Sequence, residues 1–90
     1  MKTIQIIISG KVQGVWYRNS TKEKADEIGV LGTVENLVTG QVKIIAQGDK
    51  MDLEALAAWA KEGPKYAEVL TIETTIVLEP LQYDDFIIIR

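Results

Sequence analysis

The chain contains the segment Gly10-Lys11-Val12-Gln13-Gly14-Val15-Trp16-Tyr17-Arg18, which lies between an isoleucine-rich run and a polar run. In the preceding run, residues 3–9, Ile4, Ile6 and Ile8 fall on one side of an extended chain, which predicts a strand with one buried face. The following run, residues 18–28, has helical spacing and is followed by Gly29, a typical helix stop. The segment is therefore predicted to be a loop that passes directly from a strand into a helix.

A glycine-bearing loop of this kind is suited to binding an anion. The first turn of a helix leaves several backbone N–H groups unpaired, and the positive end of the helix dipole attracts phosphate. Gly10 and Gly14 allow a tight turn, and Arg18 adds a planar fork of donors that matches two phosphate oxygens. The alternative is an ordinary strand-to-helix connection with a surface arginine. The spacing matches neither the Walker nor the dinucleotide pattern, so it leaves both interpretations open.

The rest of the chain predicts three more strands, a second helix and a short terminal strand. Asp49 is the expected N-cap of the second helix, and Gly63-Pro64 ends it. The expected strands are residues 31–36, 41–47 and 69–78, the second helix is residues 51–61, and the terminal strand is residues 86–90. The second and third strands are close enough for an antiparallel hairpin. This order predicts a single α+β domain, residues 1–90, with a ferredoxin-like two-layer βαββαβ sandwich: a mainly antiparallel sheet with both helices on one face.

Composition excludes several classes of chemistry. The 90 residues include no cysteine and no histidine, so Ser-His-Asp or Cys-His catalysis and histidine-ligated metal sites are ruled out. The net charge of −3 argues against an extended nucleic-acid interface. The apolar run at residues 4–8 is too short to cross a bilayer, and we expect a cytoplasmic protein.

A second candidate segment is Gly32-Thr33-Val34-Glu35-Asn36, at the end of the second strand. The Asn36 amide could orient a water molecule, but asparagine also commonly precedes a hairpin turn for local reasons. The sequence alone does not tell whether Asn36 approaches Arg18.

The two segments together resemble the acylphosphatase family, whose signature combines a Val-Gln-Gly-Val-x-Phe-Arg loop with a later Gly-x-Val-x-Asn segment. The similarity extends over nearly the whole chain and includes the Tyr83-x-x-Phe86 ending. It implies hydrolysis of acyl phosphates to carboxylate and inorganic phosphate, without a metal or organic cofactor. The phosphoryl group would be bound by Arg18 and by the backbone N–H groups of Val12, Gln13, Gly14, Val15, Trp16 and Tyr17.

The resemblance also implies that Asn36 holds the attacking water and that a phosphoryl oxygen of the substrate takes the proton from that water. The expected partners are a small-molecule acyl phosphate and inorganic phosphate, as product or inhibitor, with no nucleic acid and no membrane, and the expected state is a monomer. Two alternatives stand beside this function. One is a non-catalytic phosphate- or carboxylate-binding module. The other is an RNA-binding sheet, which the acidic balance and the single phenylalanine disfavour.

Several residues depart from the family pattern or invite other interpretations. Tyr17 replaces phenylalanine, and we expect its ring to pack under the loop while its hydroxyl reaches a polar edge. Trp16 replaces a small residue and would either narrow the entrance to the site or offer a face to an aromatic acyl group. Thr33 and Glu35 replace a common tryptophan and a common basic residue, and strand alternation places Glu35 on the face opposite Asn36.

Outside these motifs, simple structural roles are expected. Adjacent carboxylates Asp84 and Asp85 are predicted to form a solvated turn rather than a metal or acid–base pair. Trp59 and Tyr66 are expected to make helix–sheet contacts. The carboxylate of Arg90 is a candidate partner for the Arg18 guanidinium.

Overall fold

The computed structural model describes all 90 residues and contains seven regular elements in the predicted order. They are β1 (Lys2–Lys11), α1 (Tyr17–Ile28), β2 (Leu31–Asn36), β3 (Val42–Gly48), α2 (Lys50–Glu62), β4 (Glu68–Ile76) and β5 (Phe86–Ile89). The predicted ends lie within two residues of these bounds.

The five strands form one sheet in the order β4-β1-β3-β2-β5. The pairs β1–β3, β1–β4 and β2–β3 are antiparallel, and β5 adds to the outer edge of β2 in parallel. Helix α1 packs on β2 and β5, helix α2 packs on β1, β3 and β4, and the two helices contact each other, so both cover the same face. The predicted ferredoxin-like two-layer architecture is confirmed.

The core lies between this sheet face and the two helices. Every second residue of the central strands points into it, as strand geometry requires, and the helices contribute residues at helical spacing. Its fully buried members include Ile6, Ile8, Val34, Val42, Ile44, Ala46, Ala25, Leu56 and Ala60. Burying one such isoleucine or leucine contributes about 1.5–3 kcal/mol relative to leaving it exposed. This core fixes the ends of β1 and β2 relative to α1.

The C-terminal end of α1 agrees with the sequence prediction, but the N-terminal cap of α2 does not. Gly29 closes α1 in the left-handed region with φ 95°, and its N–H donates to Ala25 O at 2.8 Å. Asp49 occupies the N-cap position of α2 as predicted, but its side chain makes no capping hydrogen bond. Its backbone carbonyl instead accepts from the Leu53 N–H at 3.0 Å. The predicted side-chain cap is therefore wrong.

The C-terminal end of α2 is joined to α1 through Tyr17. The residue four positions after Ala60 is Pro64, which has no N–H to donate to the Ala60 carbonyl. The Tyr17 hydroxyl donates to that carbonyl at 2.7 Å instead. This hydroxyl is buried, so the expectation that it reaches a polar edge is wrong. The bond anchors the first residue of α1, next to the candidate loop.

Candidate active site

The loop between β1 and α1 begins where β1 approaches β4 closely. The pairing register shifts between Ser9 and Gly10, and Gly10 has φ 128°. A Cβ atom at Gly10 would collide with the backbone of Glu68, so this approach requires glycine. The bulge turns the chain out of the sheet and starts the loop.

The backbone N–H groups of residues 12–19 donate to no hydrogen bond within the protein. Residues 12–16 lie outside all strands and helices, and the first bond of α1 runs from Ser20 N–H to Trp16 O at 3.0 Å. The N–H groups of Tyr17, Arg18 and Asn19 are therefore the unpaired donors that every α-helix presents at its N-terminus. They give this end of the site the positive potential that favours an anion.

Three side chains hold the loop in place. Val12 and Val15 are buried in the core. The Gln13 Nε2 amide donates to Leu37 O at 2.8 Å and to Gln41 O at 2.9 Å, both in the turn after β2. The side chain of Gln13 is thus a tether between the loop and the β2–β3 hairpin, and its amide is not free to bind a ligand.

One cavity of about 320 Å³ brings the two sequence motifs together. It is lined by Val12, Gly14, Trp16, Tyr17, Arg18, Asn19, Asn36 and Arg90. The loop residues Gln13 and Val15 do not line it. Asn19 and Arg90 do, although no motif identified them as pocket residues. Asn19 could have been found as the third residue of α1, where a side chain lies close to the unpaired N–H groups.

Asn36 carries an unusual polar atom. Its Oδ1 is buried and has no hydrogen-bond partner in the protein. A buried acceptor without a donor is costly and rare, so it calls for an explanation. Asn36 itself lines the cavity, so its amide group lies next to any molecule that binds there.

The charged side chains that line the cavity, those of Arg18 and Arg90, are cationic. Arg18 forms no ion pair and no side-chain hydrogen bond within the protein, so its donors are available. No carboxylate side chain lines the cavity, in contrast to the net charge of −3 of the whole chain. Arg90 reaches the same cavity, but its carboxylate forms no ion pair with the Arg18 guanidinium, and that expectation is wrong.

The carboxylates of Glu35, Asp84 and Asp85 do not line the cavity. Glu35 pairs in register with Lys43, and its Oε1 lies 3.9 Å from Lys43 Nζ, on the sheet face opposite the helices. Strand alternation therefore separates it from Asn36 as predicted. Asp84 and Asp85 are exposed, and Asp85 Oδ1 accepts the Phe86 N–H at 2.8 Å. No three carboxylate side chains in the chain group together as metal ligands.

The sequence of the chain is similar to that of known proteins of one family. Residues 4–88 match the Acylphosphatase family model. The chain belongs to the acylphosphatase family. It is 38% identical to an acylphosphatase of Methylococcus capsulatus over 90 residues, covering 100% of this chain and 98% of the relative. It is 46% identical to one of Nitrosococcus oceani over 77 residues, covering 86% of each chain.

Solved structures of acylphosphatases have the same fold. The crystal structure of acylphosphatase from Bacillus subtilis superposes with a TM-score of 0.95 at 30% identity and covers 100% of both chains. The structure of an acylphosphatase from Coxiella burnetii gives a TM-score of 0.92 at 36% identity, covering 97% of this chain and 90% of that one. The family predicted from the two motifs is confirmed.

The aromatic residues Trp59, Tyr66 and Trp16 have different environments. Trp59 packs on the core with its ring centroid 5.5 Å from that of Tyr17, so its contact is with α1 rather than with the sheet alone. Tyr66 is 66% exposed, and the expected helix–sheet contact is wrong. Trp16, at the N-terminus of α1, is 72% exposed and lines the cavity. No helix is both long enough and apolar enough to cross a membrane.

Proposed function

We propose that this acylphosphatase-family protein hydrolyses the carboxyl–phosphate bond of acyl phosphates without a metal ion. The observation that carries the proposal is the single cavity shared by Arg18, the unpaired N–H groups of the loop and the orphan Oδ1 of Asn36. These three features supply a cation, a set of donors and an acceptor, which are the groups that phosphoryl transfer to water requires.

The phosphoryl group binds at the N-terminus of α1. The Arg18 guanidinium offers two parallel donors to two phosphoryl oxygens. The backbone N–H groups of the loop residues that line the cavity, Val12, Gly14, Trp16 and Tyr17, donate to the others. Hydrogen bonds to a charged group contribute about 1.5–3 kcal/mol each. No carboxylate side chain lines the cavity to oppose this attraction.

The nucleophile is a water molecule that donates a hydrogen bond to Asn36 Oδ1. That bond leaves a lone pair of the water oxygen free to form the new bond to phosphorus as the bond to the acyl oxygen breaks. The leaving carboxylate takes the electron pair of the broken bond, and one proton of the water passes to a phosphoryl oxygen. The products are a carboxylate and inorganic phosphate, which competes with substrate for the same donors.

Positioning and charge stabilisation supply the catalysis. Orientation of a bound water against its target is worth up to roughly 7–11 kcal/mol of the barrier. A single preorganised donor at a developing charge is worth about 10²–10³ in rate in other hydrolases. An acyl phosphate already has a good leaving group, so no histidine or other strong base is needed at this site.

The competing function is a module that binds phosphate without turnover. Such a module needs Arg18 and the N–H groups, but it gains nothing from a buried oxygen acceptor, whose lone pairs repel an anion. The unpartnered Asn36 Oδ1 therefore favours the enzyme.

The test is hydrolysis of acetyl phosphate with a chelator present, alongside equilibrium binding of inorganic phosphate. We expect Arg18→Gln to weaken phosphate binding and to reduce kcat/KM by about 10² or more. Asn36→Ala should keep phosphate binding within a few-fold and lower kcat by about 10²–10³. Glu35→Gln, a change at the neighbouring residue on the opposite face, is the matched control and should retain activity. Phosphate binding by the parent without any hydrolysis would instead establish the binding module.

A further inference from the structure

Trp16 is the most exposed aromatic side chain of the protein, at 72%, and it lines the cavity. No other aromatic ring and no cation packs on its indole. By contrast, Trp59 is packed against the core and against Tyr17. The fold therefore buries one of its two tryptophans and leaves the other at the edge of the cavity.

The conformation of Trp16 is also unfavourable for folding. Its φ of 66° makes it the only residue other than glycine with a positive φ. The left-handed region disfavours side chains that carry a Cβ, and a bulky residue there is a genuine outlier. Such outliers concentrate at functional sites, where the surrounding structure maintains them. Neither packing nor backbone geometry explains a tryptophan at this position.

The lining of the cavity includes both polar and apolar groups. Arg18, Asn36 and the unpaired N–H groups suit a phosphoryl group and water. Val12 and Trp16 supply apolar lining. A cavity of about 320 Å³ is at the small end of ligand sites, so a ring attached to a bound phosphoryl group must extend toward the rim. The exposed indole is the flat apolar surface at that rim.

We propose that the Trp16 indole binds the acyl group of the substrate and gives the site a preference for aromatic acyl phosphates over short aliphatic ones. The inference rests on the proposed function, because it assigns the acyl end of the same substrate. A flat aryl group stacks on the indole face, whereas an acetyl group is too short to cover it. Stacked aromatic pairs contribute enough beyond simple area burial to change relative rates by about two- to tenfold.

The first experiment compares kcat/KM for benzoyl phosphate and acetyl phosphate and follows their ratio. The variants are Trp16→Leu, which keeps apolar bulk but removes the flat face, and Trp16→Phe, which keeps a ring. Both retain a Cβ in the same backbone conformation, so their backbone strain is matched. Tyr66→Leu removes a similarly exposed aromatic ring that does not line the cavity.

We expect Trp16→Leu to lower the benzoyl-to-acetyl ratio at least threefold, Trp16→Phe to restore most of it, and Tyr66→Leu to leave it unchanged. A ratio that stays within experimental error in Trp16→Leu would overturn the inference. Equal losses in Trp16→Leu and Trp16→Phe would also overturn it, because they would point to a steric role for the indole rather than to stacking.

A binding experiment separates this inference from the proposed function. In a Trp59→Phe background, Trp16 is the only tryptophan, so its fluorescence reports on the rim alone. Phenacylphosphonate and acetonylphosphonate, which replace the bridging oxygen by CH₂ and cannot be hydrolysed in the same way, carry the aromatic and the aliphatic group. We expect the phenacyl compound to bind at least threefold more tightly and to quench the indole.

Tighter binding with quenching, in a protein that hydrolyses neither acyl phosphate, would refute the proposed function and leave the acyl-binding role of Trp16 intact. Hydrolysis of both substrates, with equal affinity for the two phosphonates and no quenching, would support the proposed function and refute the role of Trp16.

Discussion

Replacing Tyr17 by phenylalanine tests how the loop between β1 and α1 is anchored. The substitution removes one hydroxyl and keeps the ring, whose centroid lies 5.5 Å from that of Trp59. The hydroxyl donates to the Ala60 carbonyl at 2.7 Å, and Pro64 cannot replace it because proline has no N–H. The Ala60 carbonyl, on a fully buried residue, would therefore lose its donor.

The size of the effect follows from that loss. Leaving a buried acceptor without a partner costs about 1–3 kcal/mol, more than the net value of an ordinary hydrogen bond. For a domain of this size, each 1 kcal/mol lowers Tm by about 4–8 °C. We expect Tyr17→Phe to lower the free energy of unfolding by about 1–3 kcal/mol at pH 7.

The difference in the free energy of unfolding between the parent and Tyr17→Phe should shrink at alkaline pH. Burial raises the pKa of the Tyr17 phenol well above its ordinary value. The folded protein thus keeps the phenolic proton, while the unfolded chain releases it above pH about 10. Since the folded pKa is raised, the stability that Tyr17 contributes is complete below pH 10 and is lost as the pH rises. At pH 11 the parent loses about 1.4 kcal/mol relative to the phenylalanine variant.

The assay is urea unfolding of both proteins at pH 7, 10 and 11, analysed by linear extrapolation. Tyr66→Phe is the control, because Tyr66 is 66% exposed and its hydroxyl makes no hydrogen bond, so its stability should match the parent at each pH. A Tyr17→Phe effect below about 0.5 kcal/mol at pH 7, or a difference that does not narrow by pH 11, would refute the reasoning.

Three further predictions test the residues around the site. Gln13→Leu removes two hydrogen bonds to the β2–β3 turn, so we expect a stability loss of about 1–2 kcal/mol and a lower kcat, measured by urea unfolding and steady-state hydrolysis; unchanged kcat would contradict the tether. Gly32→Ala sets a Cβ against the backbone of the paired strand, whereas Gly40→Ala meets open space; we expect a loss of at least about 3 kcal/mol for the first and a clearly smaller one for the second in thermal unfolding. Glu35→Gln breaks only a partly exposed ion pair with Lys43. Stability should therefore change by less than about 0.5 kcal/mol and kcat/KM by less than about twofold. A large rise in kcat/KM would mean that the Glu35 carboxylate acts on the site.

Much of the fold followed from local patterns. Ile4, Ile6 and Ile8 gave the period of a half-buried strand, and Gly29 gave the end of α1. Such signals depend on residues close in sequence, which is why element order and most ends agreed with the structure. The side-chain cap expected at Asp49 failed because a preferred residue type permits a cap without requiring the bond.

The candidate site was only partly visible in the sequence. Arg18 and Asn36 were predicted as site residues from the resemblance to a known family. That both line one cavity depends on how β2 lies in the sheet relative to the β1–α1 loop. The Tyr17 hydroxyl was expected at a polar edge because its acceptor, Ala60, is 43 residues away and belongs to another helix. Tyr66 was misjudged because exposure is a property of the whole packed molecule.

The sequence by itself determined which residues form strands and helices, which chemistry is excluded by the lack of histidine and cysteine, and which loop leaves N–H groups unpaired. These properties are local or compositional. Tertiary structure alone decided that the Oδ1 of Asn36 is buried without a partner, that the Tyr17 hydroxyl donates to the Ala60 carbonyl of the other helix, and that the Trp16 indole stands exposed at the rim of the cavity. Each of these depends on contacts between segments far apart in sequence, and only the packing of sheet against helices fixes them.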